Sequence, residues 1–377
     1  DMLVENRFRF QMNLTGFLAA ADLVSPSHQT SVTDAEGIRQ ITLADGSGFM
    51  DRDLIINIQM KEGLRDGMIM DRDHDGGYVA LASFVPRLPK PEKILPKSVK
   101  IVVDCSGSMS GDSIAQARQA IAEILNHLRP EDHFNLIAFG SDHRTLFKRQ
   151  VQANGKNLAR MRELLNRIDA NMGGTEMFGA LQAAISIPGP DLDQDILLIT
   201  DGQVWKSDEI ISRVKESNHR VFTVGVGSAV SEGFVRQLAV KTGGACELVV
   251  PNEKMTEKIV RHFNRMYLPR TTDIRVNWPV EPINIVPRKF GPVYDGDTVH
   301  VFGLFDREIQ GTATLDMVLG DGQTVSQQTK VSGYVGTLAA EDGAGTFARM
   351  AVHQLLATAS PEEAAQLAVR YQLVSPY

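Results

Sequence analysis

Three short stretches place oxygen-bearing side chains at the ends of apolar runs. Asp104, Ser106 and Ser108 follow the run Val99–Val103, which only Lys100 interrupts. Gly173-Gly174-Thr175-Glu176 is a glycine-rich turn that delivers a hydroxyl at the start of a helical pattern. Asp201-Gly202 closes a second run, Ile196–Ile199. Carboxylates and hydroxyls suit a hard cation such as Mg²⁺, Mn²⁺ or Ca²⁺. Gly107 lets the first loop wrap an ion without a side-chain clash. The blander reading makes Ser106 and Ser108 helix caps, and Asp104 and Asp201 ordinary turn residues.

Those stretches need a scaffold that brings strand ends together. Between residues 96 and 268 strand and helix patterns alternate. Buried strands are expected at Val99–Val103, Phe134–Phe139, Ile196–Thr200, Val221–Val226 and Cys246–Val250. Helices are expected at Ile114–Leu128, Leu158–Ile168, Met177–Ile187, Ser207–Ser217, Ser231–Lys241 and Glu253–Tyr267. Such alternation predicts an α/β doubly wound, Rossmann-like sheet with helices on both faces. Open sheets of this kind bind ligands at the carboxyl edge of their strands. Gly225-Val226-Gly227 follows a strand but lacks the third glycine of a dinucleotide fingerprint, because Val230 stands there.

The succession Asp-x-Ser-x-Ser, Gly-Gly-Thr and Thr-Asp-Gly is that of a metal-ion-dependent adhesion site. In it, residues 96–268 resemble von Willebrand factor A domains. The resemblance implies that Ser106, Ser108 and Thr175 bind a divalent cation directly, most simply Mg²⁺, with Mn²⁺ or Ca²⁺ as alternatives. It also implies that Asp104 and Asp201 act through waters. An ion held by neutral hydroxyls keeps much of its charge. A partner's Asp or Glu can then complete its shell.

On either side the pattern changes. Residues 1–95 read as strands (Phe8–Leu14, Ile38–Leu43, Leu54–Met60, Tyr78–Val85), with turns at Ser25-Pro26-Ser27-His28 and Asp45-Gly46-Ser47-Gly48. Pro86, Pro89, Pro91 and Pro96 make a stiff linker. The Ser25–His28 and Asp51–Leu54 phrases and the passage Tyr78–Pro86 look like the VIT β-sandwich of inter-alpha-trypsin inhibitor heavy chains and their bacterial relatives, incomplete at its start. Residues 269–335 read as strands again and are expected to pack with 1–95 as one β domain; residues 336–377 form a helical segment. Pro361 after Ser360 is good helix-start chemistry. Asp71-Arg72-Asp73-His74-Asp75-Gly76 imitates a calcium loop, but Ala82 replaces its bidentate Glu, so we read a hairpin tip. Thr15 completes a glycosylation triplet inside a strand, and we set it aside.

The formal net charge is −7 and no long block of Lys and Arg occurs, so nucleic acid is not an expected partner. Two cysteines, Cys105 and Cys246, make no disulfide framework. No apolar run approaches the ~18 residues of a membrane span. The opening residues show no signal peptide, and we expect an excised, monomeric piece of a longer chain. The compartment is left open, although the resemblance points outside the cytoplasm.

Two functions compete. One is a metal-dependent protein-binding module of the adhesion or scaffold kind, which is not an enzyme. The other is a hydrolase in which the ion activates water. A hydrolase needs a base, and His127, His133 and His143 are the nearest histidines in sequence. The loops Met109–Asp112, Asn171–Met177 and Gln203–Ser207 would set specificity, with Met177 and Trp205 as candidate contacts or, equally, as rim residues covering the site's edge.

Overall fold

The computed structural model describes the chain except for residues 1–5, 15, 36, 60–65, 74–75, 92, 202–206, 228–229, 250–254, 335–345, 357–358 and 375–377. Two compact units emerge. One comprises residues 1–63 and 93–267, the other residues 64–92 and 268–377. Residues 1–95, read from the sequence as one β piece, are thus divided between them.

The first unit is dominated by a seven-stranded sheet. Its elements are β1 (Ser98–Asp104), α1 (Asp112–His127), β2 (His133–Phe139), β3 (His143–Thr145), β4 (Val151–Gln152) and α2 (Gly155–Leu165), followed by α3 (Met177–Ser186) and β5 (Gln194–Thr200). Then come α4 (Ser207–Glu216), β6 (Arg220–Val226), α5 (Glu232–Thr242), β7 (Cys246–Val249) and α6 (Met255–Asn264). The strand order is β3-β2-β1-β5-β6-β7, and β4 also pairs with β2. β2, β1, β5, β6 and β7 are parallel, whereas β3 and β4 run antiparallel on the β2 edge.

Near-continuous apolar runs make the central strands, since both faces are covered. Helices α3, α4 and α5 bury Met177, Leu181, Ile210, Val214 and Phe234 against Val102, Ile196 and Leu198. Burying each such side chain contributes about 1.5–3 kcal/mol. The chain winds one way from β1 to β2 and the other way from β5 to β7. Right-handed crossovers therefore place α1 on the opposite face, where it packs against α6. The order reverses between β1 and β5, which lie side by side. α2 begins at Gly155 rather than Leu158, because Asn154 caps it by accepting from Asn157 N at 3.0 Å. The short strands β3 and β4 escaped the sequence reading; pairing with β2, not their own pattern, defines them.

Residues 7–59 form three small antiparallel sheets, the largest joining Gln11–Leu14, Ile38–Leu43 and Thr30–Ala35.

The second unit holds another seven-stranded sheet. Its order is Thr271–Asn277, Thr312–Leu319, Thr324–Tyr334, Gly67–Arg72, Tyr78–Phe84, Val299–Phe305 and Asn284–Val286. One face gathers Met68, Ala82, Phe84, Val301, Leu315 and Met317 in a single core. Helices Thr346–Leu356 and Pro361–Tyr371 cover Val79, Val286 and Phe302 on the other. Ser360 caps the second helix by accepting from Glu363 N at 3.3 Å. At the Asp71–Gly76 hairpin, Asp73 N donates to Gly77 O at 2.8 Å; His74 and Asp75 lie outside the described residues, as does Thr15. Among the described residues no helix is long and apolar enough to cross a membrane.

Candidate metal centre at the β1/β5 edge

Asp104 is the last residue of β1, and Asp201 follows the last residue of β5, its neighbour. The chain reverses its winding between these strands, so their carboxyl ends open into the crevice where such sheets take ligands. Past Asp104 the chain makes a short 3₁₀ turn, Gly107–Met109, pinned by the fully buried Met109. That turn sets two hydroxyls side by side. Ser106 Oγ and Ser108 Oγ lie 3.0 Å apart, and Ser108 Oγ donates to Asp201 Oδ1 at 2.9 Å. Asp104 is held from two sides: Ser106 N donates to Oδ1 at 2.9 Å and Thr200 Oγ1 to Oδ2 at 2.7 Å.

Thr175 arrives on a third segment tied to the same edge by its backbone. Gly107 N donates to Gly173 O at 2.9 Å, and Met172 N to Cys105 O at 2.9 Å. Gly174 N donates to Ser141 Oγ at 2.7 Å, and Glu176 N to Gly140 O at 2.7 Å. Gly173 has φ +81°, which an L side chain rarely adopts. Thr175 is half-buried, and its hydroxyl makes no hydrogen bond among the described residues.

The electrostatics ask for positive charge. Burial raises the Asp104 carboxyl above its ordinary range, and the bonds from Ser106 and Thr200 only oppose that rise. Burial also raises Asp201, and the charge of Asp104 adds to it against the Ser108 bond. No Lys or Arg among the described residues pairs with either carboxylate. A divalent cation with oxygen bonds of ~2.1 Å has adjacent ligands about 3.0 Å apart. The Ser106–Ser108 separation has that length. Among the described residues no three His, Cys, Asp or Glu side chains gather, so a metal here would rest on hydroxyls.

Some expected contributors fall away. Met177 is 1% exposed and belongs to the core, not to a contact surface. Gly202 and residues 203–206 with Trp205 lie outside the described residues. Cys105 is buried beside the site with its thiol pushed up to about 12, which keeps it protonated and inert. His133 pairs with Ser98 at the far end of β1, six residues from Asp104 and about 20 Å away. His127 ends α1, its Nδ1 2.9 Å from Glu123 O. His143 pairs with Phe139 at the near edge, two strands or about 10 Å from Asp104. Gly140 and Ser141 stand outside the sequence motifs, and Thr200 enters there only as the first residue of Thr-Asp-Gly, with no role of its own. A Gly-Ser pair directly after the β2 strand was the available signal.

The family model of the von Willebrand factor type A domain matches residues 97–248. Residues 97–248 therefore read as a von Willebrand factor type A domain. The chain is similar to a von Willebrand factor A domain-containing protein of Dictyostelium discoideum, 27% identical over 330 residues, covering 84% of this chain and 35% of that protein. It is also similar to von Willebrand factor A domain-containing protein 5A of Rattus norvegicus, 26% identical over 299 residues, covering 72% of this chain and 36% of that protein. A solved von Willebrand factor type A structure from Catenulispora acidiphila superposes at TM-score 0.45 and 15% identity, over 83% of this chain and 88% of that one. The chain spans less than half the length of the curated relatives it matches, 35% and 40% for the first two.

Proposed function

We propose that the A domain is a metal-dependent protein-binding module. Asp104, Ser106, Ser108, Thr175 and Asp201 hold one divalent cation, Mg²⁺ in the first instance, and the cation engages an Asp or Glu of a partner protein. The observation that carries this reading is the unbroken chain of contacts from Thr200 through Asp104, Ser106 and Ser108 to Asp201, linking two strand ends through hydroxyls spaced like adjacent metal ligands. Neutral hydroxyls leave the ion electrophilic, so a carboxylate from outside is a strong additional ligand. For the flanking residues we propose a VIT-like β-sandwich. Its support is the seven-stranded sheet built from strands on both sides of the A domain in sequence.

The test is capture of partners by the immobilised chain in Mg²⁺ and in EDTA, alongside Asp104→Ala. Mg²⁺-dependent capture lost in the variant is the expected result. Mg²⁺-dependent hydrolysis of esters, phosphates or peptides, also lost in Asp104→Ala, would replace the binding reading with an enzymatic one.

A further inference from the structure

The chain is acidic as a whole, with 46 Asp and Glu against 39 Lys and Arg, yet one stretch reverses this. Residues 143–162 contain Arg144, Lys148, Arg149, Lys156, Arg160 and Arg162 and no acidic residue. All six are exposed. The fold collects most of them on one edge of the A-domain sheet. Arg144 lies on β3, opposite Ala138 of β2. Lys148 and Arg149 follow on the segment leading to β4, which pairs with β2 at Phe134. Lys156 and Arg160 stand four apart on one face of α2. The Arg160 guanidinium sits 5.1 Å from the Phe147 ring, which brings that face to the Lys148–Arg149 segment. Arg162 turns aside to Asn126 Oδ1 at 3.1 Å.

The platform is rigid. Buried Asn135 accepts from Phe147 N at 3.1 Å and donates to Phe147 O at 2.8 Å, fixing the backbone that carries the two cations. Among the described residues no carboxylate pairs with Arg144, Lys148, Arg149, Lys156 or Arg160. The fixed backbone keeps these cations close together, and with no counter-charge beside them they attract an anion, although their exposed side chains give up rotamer freedom when it arrives.

The geometry points to this edge as a docking surface for a short acidic segment of a polypeptide. From Ala138 to Phe134 the edge runs about 13 Å, and the rise of α2 from Lys156 to Arg160 adds about 6 Å, which together match about six residues of extended chain. A long polyanion such as nucleic acid or a sulfated polysaccharide would overrun five cations onto a chain of net charge −7. The surface also starts beside the metal centre, since Ala138, opposite Arg144, itself pairs with Val103. A partner whose ion-binding carboxylate lies in an acidic run would engage both. In naming the partner the inference rests on the proposed function; as a surface it does not.

The experiment is fluorescence anisotropy of a labelled oligoglutamate of about six residues, titrated with the full chain in EDTA at low salt. We expect saturable binding that weakens as salt rises from about 50 to about 200 mM and the Debye length shortens. Lys148→Glu with Arg149→Glu should weaken it about tenfold or more, whereas Lys215→Glu with Lys241→Glu, of equal charge change, should not. Binding in EDTA that survives Asp201→Ala supports the surface irrespective of the ion. Equal affinity in the Lys148/Arg149 variant overturns it. So does tighter binding of an oligonucleotide or heparin fragment of matched charge. The substituted Lys and Arg side chains are exposed and Asp201 is half-buried, and an unchanged melting temperature verifies the fold of each variant.

Discussion

Ser108 and Asp201 stand 93 positions apart, yet a hydrogen bond of 2.9 Å joins them across the carboxyl ends of two neighbouring strands. If both are ligands of one cation, each substitution has a defined cost. Calorimetry with Mg²⁺ or Mn²⁺ should show weak binding in the wild type, because three of the five donors are neutral. Ser108→Ala should weaken it by about tenfold, and Asp201→Ala should abolish it. Tight binding unchanged in Asp201→Ala would remove the metal centre from consideration.

Gly140 should be intolerant of any side chain. A Cβ there would lie 2.3 Å from Met172 O, the atom that accepts from Ser141 N. Gly140→Ala must push back the segment that carries Gly173 to Glu176. The expected loss is about 1–3 kcal/mol of stability by urea denaturation, with weaker metal binding as Thr175 shifts. Gly155→Ala, whose Cβ would meet open space, is the control and should leave metal binding unchanged.

Two buried histidines predict acid sensitivity. Burial, then the charge of Arg265, lowers His262 to about 3; burial, then Lys100, lowers His219 to about 4. Both are neutral in the fold. As pH falls below the unfolded value of about 6.5, the unfolded chain takes up protons that the fold refuses. Stability should then drop by about 1.4 kcal/mol per pH unit for each histidine, down to pH values near 4 and 3. Urea midpoints across that range would show it, and His262→Leu should halve the slope. A slope identical in the variant would contradict the assignment.

Lys100 interrupts the central strand, 1% exposed, with Nζ 2.7 Å from His219 Nε2. Burial lowers its amine to about 8. Keeping it charged therefore costs stability below pH 8, and the cost vanishes as pH rises to the unfolded value of about 10.4. Lys100→Met should stabilise the chain at neutral pH by about 1–3 kcal/mol, with the gain shrinking in alkali. A destabilised variant would show that the Lys100–His219 contact outweighs the burial penalty.

The α/β alternation was legible because strands buried on both faces are nearly continuous in Val, Ile and Leu, and the covering helices keep an apolar stripe. Asp104 and Asp201 were legible because each breaks such a run. Thr200 was legible only as the first residue of Thr-Asp-Gly; its role was not, because its hydroxyl serves Asp104 across the strand pair and nothing in its own neighbourhood says which carboxylate lies beside it. The basic edge was hidden for the same reason. Lys148, Arg149, Lys156 and Arg160 form no block in sequence, and only the Arg160–Phe147 contact brings helix and loop together. Met177 misled because its loop borders the centre while its side chain points into the core.

Beneath the opposite end of the sheet, one buried carboxylate gathers the two ends of the chain segment that builds it. Asp132 accepts from Lys97 N at 2.8 Å, ahead of β1, and from the Tyr267 hydroxyl at 2.9 Å, beyond α6. Lys97 and Tyr267 therefore meet at a single residue. A short peptide linker could splice those ends and new termini could be opened in a surface loop such as 189–193, giving a circular permutant with the same sheet. In such a permutant Asp132 would become an internal staple instead of a knot at the domain's neck.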